Sequence, residues 1–196
     1  MFPVPPVALT IAEFPLVATT SMQDVPFYSQ FKDISSPGWQ KVGCGIASLA
    51  MVVDYFATSS VSVNKMLSEG IALGAYSSKN GWTYAGLISL AAKYRMQGES
   101  RILYNTSTEN ALAKLQSDLK SGPVLASVHY KFDPKNPIPH LVVINRIEQD
   151  SVYYNDPAAA SGNKKITLAK FLAAWKKRYL VFRPAQESAK PLLSVL

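Results

Sequence analysis

The hydrophobic period of the chain changes at Gly122–Pro123, and that change limits the possible folds more than any other feature of the sequence. Before it, apolar residues recur at three- and four-residue spacing. Ile46, Leu49, Ala50, Val53 and Phe56 mark a helix from Cys44 to Phe56, buried along one face. Further helices are predicted at Val63–Glu69, Thr83–Tyr94 and Glu109–Leu119, the last with Thr106 and Glu109 at the spacing of a capping box. Beyond Gly122–Pro123 the texture becomes short β-type runs: PVLASVHY (Pro123–Tyr130), HLVVINRI (His140–Ile147) and SVYYND (Ser151–Asp156), parted by turn formers. Thr167 then opens a last helix with Leu168, Phe171, Leu172 and Trp175 on one face, before a strand-like YLVFRP. Helices first and an antiparallel sheet second make an α+β domain.

Residues 25–184 form that domain, flanked by a Pro-rich N-terminal extension (1–24) and a C-terminal tail (185–196). Within the domain VPFYSQ (Val25–Gln30) reads as a short strand, and FKDISSPGWQKVG as a loop of turn formers ending at Gly43. No apolar run approaches the roughly 20 residues a transmembrane helix needs. The N-terminus lacks a basic n-region, and its prolines and Glu13 break any signal-like apolar core. The expectation is either a cytoplasmic protein or a secreted or cell-surface one whose signal has been removed.

A formal charge of +7 suits a polyanion in principle. The basic residues are scattered, however, except for Lys164–Lys165 and Lys176–Arg178, and the second run reads as the solvated end of the last helix. No nucleic-acid partner is expected on this pattern.

The single cysteine cannot form an intrachain disulfide, so its chemistry matters more than its pairing. At a helix start Cys44 faces unpaired backbone N–H groups and the positive end of the helix dipole, both of which favour thiolate. Gly43 and Gly45 would leave the sulfur uncrowded, and the Cys44 N–H can point at a developing oxyanion. The bland alternative is a small apolar residue buried in a core.

A thiolate needs a base, and the chain has two histidines, His129 and His140. His140 opens a strand just after Pro137 and Pro139, where a side chain can project into a cleft, whereas His129 reads as a core or edge residue. In a hairpin turning at Glu148–Asp150, Asp156 falls opposite or diagonal to His140 and can orient the imidazole. Asn155 is its competitor. Successive strand residues point to opposite faces, so one of the two serves, and Pro157 keeps residue 156 extended. Asp54 lies about 15 Å along the helix from Cys44 and cannot share its site. One cysteine and two histidines, with no HExxH or paired-cysteine spacing, supply no metal set, and no Gly-rich phosphate loop occurs. Neither metal nor cofactor is expected.

GCGIASLAM around Cys44, HLVVINRI and VYYNDP resemble the bacteriocin-processing cysteine peptidases, a papain-like family that removes double-glycine leaders, and especially its free-standing relatives. VPFYSQ, the Gly122–Val124 GPV, Phe171 and Trp175 fall in the same order, so the similarity runs from about Val25 to Pro184. The resemblance implies a papain-like cysteine peptidase fold, with Cys44 as nucleophile, His140 as base, Asp156 as orienting acid and Gln30 as oxyanion-hole donor. Gln40 stands nearer to Cys44 along the chain and competes for that last role. Gln30 is favoured because it closes a strand-like run, whereas Gln40 sits in a turn-rich loop beside Trp39. The second cysteine and aromatic of the papain signature are absent, and no ATP-binding motif or membrane span accompanies the domain.

The expected activity is hydrolysis of a peptide or isopeptide bond in a peptide or protein substrate, through a Cys44 thioester. Two alternatives stand beside it: a transpeptidase on small thiol peptides, since phytochelatin synthases share a similar motif order, and a non-catalytic module that docks a polyanion on its basic surface.

Overall fold

The computed structural model describes residues 24–57 and 60–185. The expected N-terminal extension and C-terminal tail therefore lie almost wholly outside the described residues. In chain order the elements are α1 (Pro37–Gln40), α2 (Cys44–Phe56), α3 (Val63–Ala72), a small hairpin of β1 (Tyr76–Ser77) and β2 (Gly81–Trp82), and α4 (Tyr84–Ala92). There follow β3 (Met96–Ile102), α5 (Thr108–Leu119), β4 (Val124–His129), β5 (Pro139–Glu148), β6 (Ser151–Asn155), β7 (Lys164–Thr167), α6 (Leu168–Ala174) and β8 (Trp175–Pro184). The fold is α+β, with a helical N-terminal region against a mainly C-terminal antiparallel sheet of order β3-β8-β4-β5-β6-β7.

Both faces of the sheet are covered, which explains its sequence texture. Leu125, Leu141, Val143, Leu180 and Phe182 pack with Ile46, Leu49 and Met51 of α2 and with Met66, Leu87 and Leu90 of α3 and α4. Ala126, Val128, Val142 and Ile144 face the other way, against Ala111 and Leu115 of α5 and Phe171 of α6. A strand buried on both faces reads as a continuous apolar run, as in VLASV and LVVI, rather than as an alternation. Burial is equally complete along α2, where every residue from Gly45 to Val53 is inaccessible.

Four helices begin with a side-chain cap: Ser62, Thr83, Ser107 and Thr167 each accept the backbone N–H three residues on. The cap of α5 is thus Ser107, not Thr106, whose hydroxyl instead donates to the Leu103 carbonyl. α2 has no such cap, its N-cap being Gly43.

Several elements differ from the sequence expectation. Val25–Ser29 has no regular secondary structure, Gln30 begins a turn, and the segment joins no sheet: Pro26 lacks a donor, and the carbonyls of Val25 and Pro26 accept the Asn155 side-chain amide at 3.1 Å each. The loop before Gly43 contains α1. The polar strands β3 and β7, at the two edges of the sheet, carry no apolar alternation to announce them. Trp175 begins β8 instead of ending α6, so Lys176–Arg178 lies in a strand and not at a helix end.

Asn155 is fully buried, and its Oδ1 also accepts the Asn163 N–H at 2.7 Å. Its removal orphans two carbonyls and an N–H, each worth about 1–3 kcal/mol when buried unpaired. Asn155→Ala is expected to lower unfolding stability by about 2–4 kcal/mol in urea titration, with the m-value unchanged.

Candidate active site

Cys44 is the first residue of α2, and its half-buried thiol meets the end of β5 that begins with His140. Two contacts lock helix to strand there. The Ser48 hydroxyl, one turn into α2, donates to the Leu141 carbonyl at 3.2 Å, and the Leu141 N–H donates back to the Cys44 sulfur. The glycines around Cys44 do a different job from the one expected of them. A Cβ on Gly45 would lie 2.8 Å from Trp82, and one on Gly43 would strike the Ile34 side chain at 2.3 Å, so both are needed for close packing around the helix start. Trp82 also donates its indole N–H to the Val42 carbonyl at 2.8 Å, holding the chain that enters α2.

His140 is 5% exposed. Its Nε2 lies 2.7 Å from Asp156 Oδ1, which leaves Nδ1 for the Cys44 thiol, the other hydrogen-bond partner of the ring. Tyr130 meets the imidazole edge-on, with ring centroids 5.1 Å apart, a contact that sequence reasoning missed. The β5–β6 ladder pairs Val143 with Asn155, so Asp156 lies just past the last pair and reaches His140 diagonally. The same Oδ1 accepts the Ala158 N–H at 2.8 Å, so Asp156 both closes a turn and holds the ring. Asn155, on the opposite face, is occupied by the chain at Val25, Pro26 and Asn163. His129 does not join the group: its Nδ1 pairs with the Asn136 carbonyl at 2.7 Å and braces the loop leading to His140.

Gln30 sits in a turn, not at a strand end. Its N–H donates to the Pro157 carbonyl at 2.8 Å, its Nε2 donates to the Gln40 carbonyl at 2.7 Å, and its Oε1 is buried without a partner among the described residues. The Gln30 Cβ lies 3.3 Å from the point a Gly43 Cβ would occupy, so this side chain abuts the residue before Cys44. The Gln40 amide is committed elsewhere, donating to the Ile34 carbonyl at 2.8 Å.

The electrostatics favour charge separation between thiol and ring. Partial burial alone would raise the Cys44 pKa, but the hydrogen bond and charge of His140, with the N–H groups of Leu141 and Gly45, hold it below the ordinary thiol range. Burial pulls His140 down, and this is outweighed by the hydrogen bonds to Asp156 and Cys44, which carry it up to about 9. Between the lowered thiol value and about 9, a thiolate faces an imidazolium. No group of three or more His, Cys, Asp or Glu suited to a metal occurs among the described residues, nor does any helix long and apolar enough to cross a membrane.

A family model described as the Peptidase_C39 like family matches residues 22–181. No functionally curated protein matches in sequence. Among solved structures, a putative C39-like peptidase from Bacillus anthracis is 22% identical with a TM-score of 0.60, over 82% of this chain and 94% of that one. A double glycine motif protease from an AMS/PCAT transporter, solved with its leader peptide, is 24% identical with a TM-score of 0.56, over 85% and 96%. The peptidase domain of Streptococcus ComA, a bi-functional ABC transporter involved in quorum sensing, is 19% identical with a TM-score of 0.54, over 74% and 93%. These likenesses share the helical region packed on an antiparallel sheet.

Because a lowered thiol pKa enlarges the thiolate fraction at any pH below the ordinary thiol range, Cys44 is expected to react with iodoacetamide at pH 6 about tenfold faster than an ordinary thiol of pKa about 8.5. Timed quenching and peptide mass spectrometry measure the rate. His140→Ala, which removes the imidazolium, should return it to the ordinary value.

Proposed function

The chain belongs to the C39-like peptidase family, and on that premise we propose that it is a cysteine peptidase cleaving a peptide or isopeptide bond through a thioester on Cys44. The observation that carries the reading is the Asp156–His140 hydrogen bond of 2.7 Å, on a ring whose other nitrogen faces the thiol at an uncapped helix start. That a similar double glycine motif protease was solved with its leader peptide supports a peptide as substrate.

The Cys44 sulfur attacks the substrate carbonyl carbon, and negative charge grows on its oxygen. The Cys44 N–H and the second N–H of the Gln30 amide receive that charge. A glutamine suits the place, being a neutral donor that cannot protonate the thiolate. As the tetrahedral intermediate collapses, the imidazolium of His140 gives its Nδ1 proton to the leaving amine and the thioester forms. His140, now neutral, takes a proton from water as that water attacks the thioester; the acid product leaves, and the Cys44 thiolate again faces the protonated ring. Asp156 keeps the ring in one orientation and stabilises its cationic form. We further place the chain with the free-standing relatives of the double-glycine-leader peptidases, on the motif resemblance around Cys44, His140 and Asp156.

Purified protein incubated with a diverse peptide mixture, with cleavage read by mass spectrometry, tests the reading. Cys44→Ala should abolish cleavage and His140→Ala should cost at least about 10³-fold, while His129→Ala stays within a few-fold, since only His140 joins Cys44 to Asp156. A Cys44→Ala protein as active as the wild type sinks the mechanism. The rate should fall on the alkaline side near pH 9, where His140 loses its proton and with it the general acid. Asp156→Ala removes the support that raises His140, so that limb should move to lower pH.

For the oxyanion donor, Gln30→Ala is expected to lower turnover about 10²- to 10³-fold while iodoacetamide labelling of Cys44 stays unchanged. Gln40→Ala should cost less. The reverse order of losses would transfer the role to Gln40.

A further inference from the structure

The bulge that interrupts β8 turns a basic side chain over the strand next to β5. The β4–β8 ladder pairs Val128 with Trp175 and Ala126 with Tyr179, so Lys176, Lys177 and Arg178 stand opposite the single residue Ser127. Bulges re-aim side chains. Lys177, at a φ of 48°, sends its ammonium away to the Thr106 carbonyl. Arg178 turns back over the sheet: its Nε donates to the Ser127 hydroxyl at 3.4 Å, and its guanidinium lies 5.9 Å from the centre of the Tyr84 ring. Ser127 is buried, and the buried Tyr84 hydroxyl has the Ser127 hydroxyl and the Arg178 charge as its polar neighbours. Lys176 adds a second cation beside Arg178, its own pKa lowered by burial and by that charge. Among the described residues no carboxylate pairs with either one. A half-buried guanidinium whose outer nitrogens make no hydrogen bond among the described residues, set beside the Ser127 and Tyr84 hydroxyls, suits an anion.

Its position relates it to the chemistry. Ser127 is the cross-strand partner of Leu141, whose N–H meets the Cys44 sulfur. Two strand spacings of about 4.8 Å, roughly 10 Å in all, separate the backbone of β5 beside the site from the backbone of β8 that carries Arg178. An extended peptide rises about 3.4 Å per residue and covers that distance in two to three residues. Tyr84 also opens α4 two residues after Trp82, which lies against Gly45 beside Cys44.

We propose that Arg178, held over Ser127 and Tyr84, is a specificity-determining residue that receives a substrate carboxylate two to three residues from the bond cleaved. This rests on the peptidase reading above. The carboxylate can be an aspartate or glutamate side chain or the substrate's own C-terminus.

Thiol-directed peptide reagents test it without requiring turnover. One series extends from sulfur toward the peptide N-terminus (acetyl-Glu-Gly and acetyl-Gln-Gly chloromethyl ketones). The other extends toward the C-terminus (iodoacetyl-Gly-Glu-amide, its Gln counterpart, and iodoacetyl-Gly-Gly as free acid and amide). The expected result is a carboxylate reagent that alkylates Cys44 about tenfold faster than its neutral twin in at least one series, a preference that shrinks in about 0.5 M salt and vanishes in Arg178→Gln. Preference for the Glu reagents identifies a side-chain carboxylate, and preference for the free acid alone identifies a C-terminus. Tyr84→Phe, which keeps the ring, should weaken the preference, and it stands in for Arg178→Gln if that variant does not fold. Equal rates within every pair, or a preference that Arg178→Gln leaves intact, overturns the proposal. Iodoacetamide labelling separates this from failure of the peptidase reading: a sluggish thiol at pH 6 counts against that reading, and the paired reagents then still report on Arg178 at pH 8.5.

Discussion

The site depends on how α2 is fastened to β5. Ser48 and the Cys44 sulfur both bond to Leu141, one to its carbonyl and the other to its N–H, so helix and strand share a single residue as their point of registration. The fully buried run from Gly45 to Val53 leaves the helix no room to rotate, because a turn of one residue would drive Trp82 or Ile34 into the backbone. A close-packed interior thus does what a hydrogen bond alone could not: it holds a thiol and an imidazole at a fixed separation on two different elements.

Around that contact the polar groups form one connected system. Gln30 bonds to the carbonyl of Pro157, the residue after Asp156, and Asn155, the residue before it, holds the chain at Val25 and Pro26. The segment that carries Gln30 is therefore tied to the segment that carries the carboxylate. The helix that begins at Cys44 lacks the side-chain cap found on α3, α4, α5 and α6, and its first donors remain for other use. Local stability is given up at the place where partial positive charge is useful.

The sequence made the fold class legible because its two halves differ in period, and Cys44 and His140 stood out because each opens an element with strong apolar patterning. What it hid has physical causes. β3 and β7 are edge strands, and an edge is kept polar, so MQGESRI resembles a loop. VPFYSQ carries the composition of a strand, yet its partners are chiefly single side chains and carbonyls, Asn155 on the Val25 and Pro26 carbonyls, Asp33 on the Ser29 N–H and the Pro157 carbonyl on the Gln30 N–H, which no propensity encodes. The spacing of Thr106 and Glu109 points to Thr106 as the cap of α5, but the Thr106 hydroxyl bonds back to the Leu103 carbonyl and Ser107 caps the helix instead. The glycines beside Cys44 were read as openness when they are contact points, because a missing side chain looks the same in sequence whether it faces a void or an indole ring.

The halves of the site come from residues 30–45 and 140–157, far apart along the chain, and nothing local brings them together. Until the sheet has formed and α2 has docked on it, Cys44 is an ordinary thiol, for its imidazole neighbour and its Leu141 N–H belong to contacts of high sequence separation. A partly made or locally unravelled chain therefore lacks the paired thiol and imidazole, and that pairing is a product of topology rather than of any local stretch of sequence.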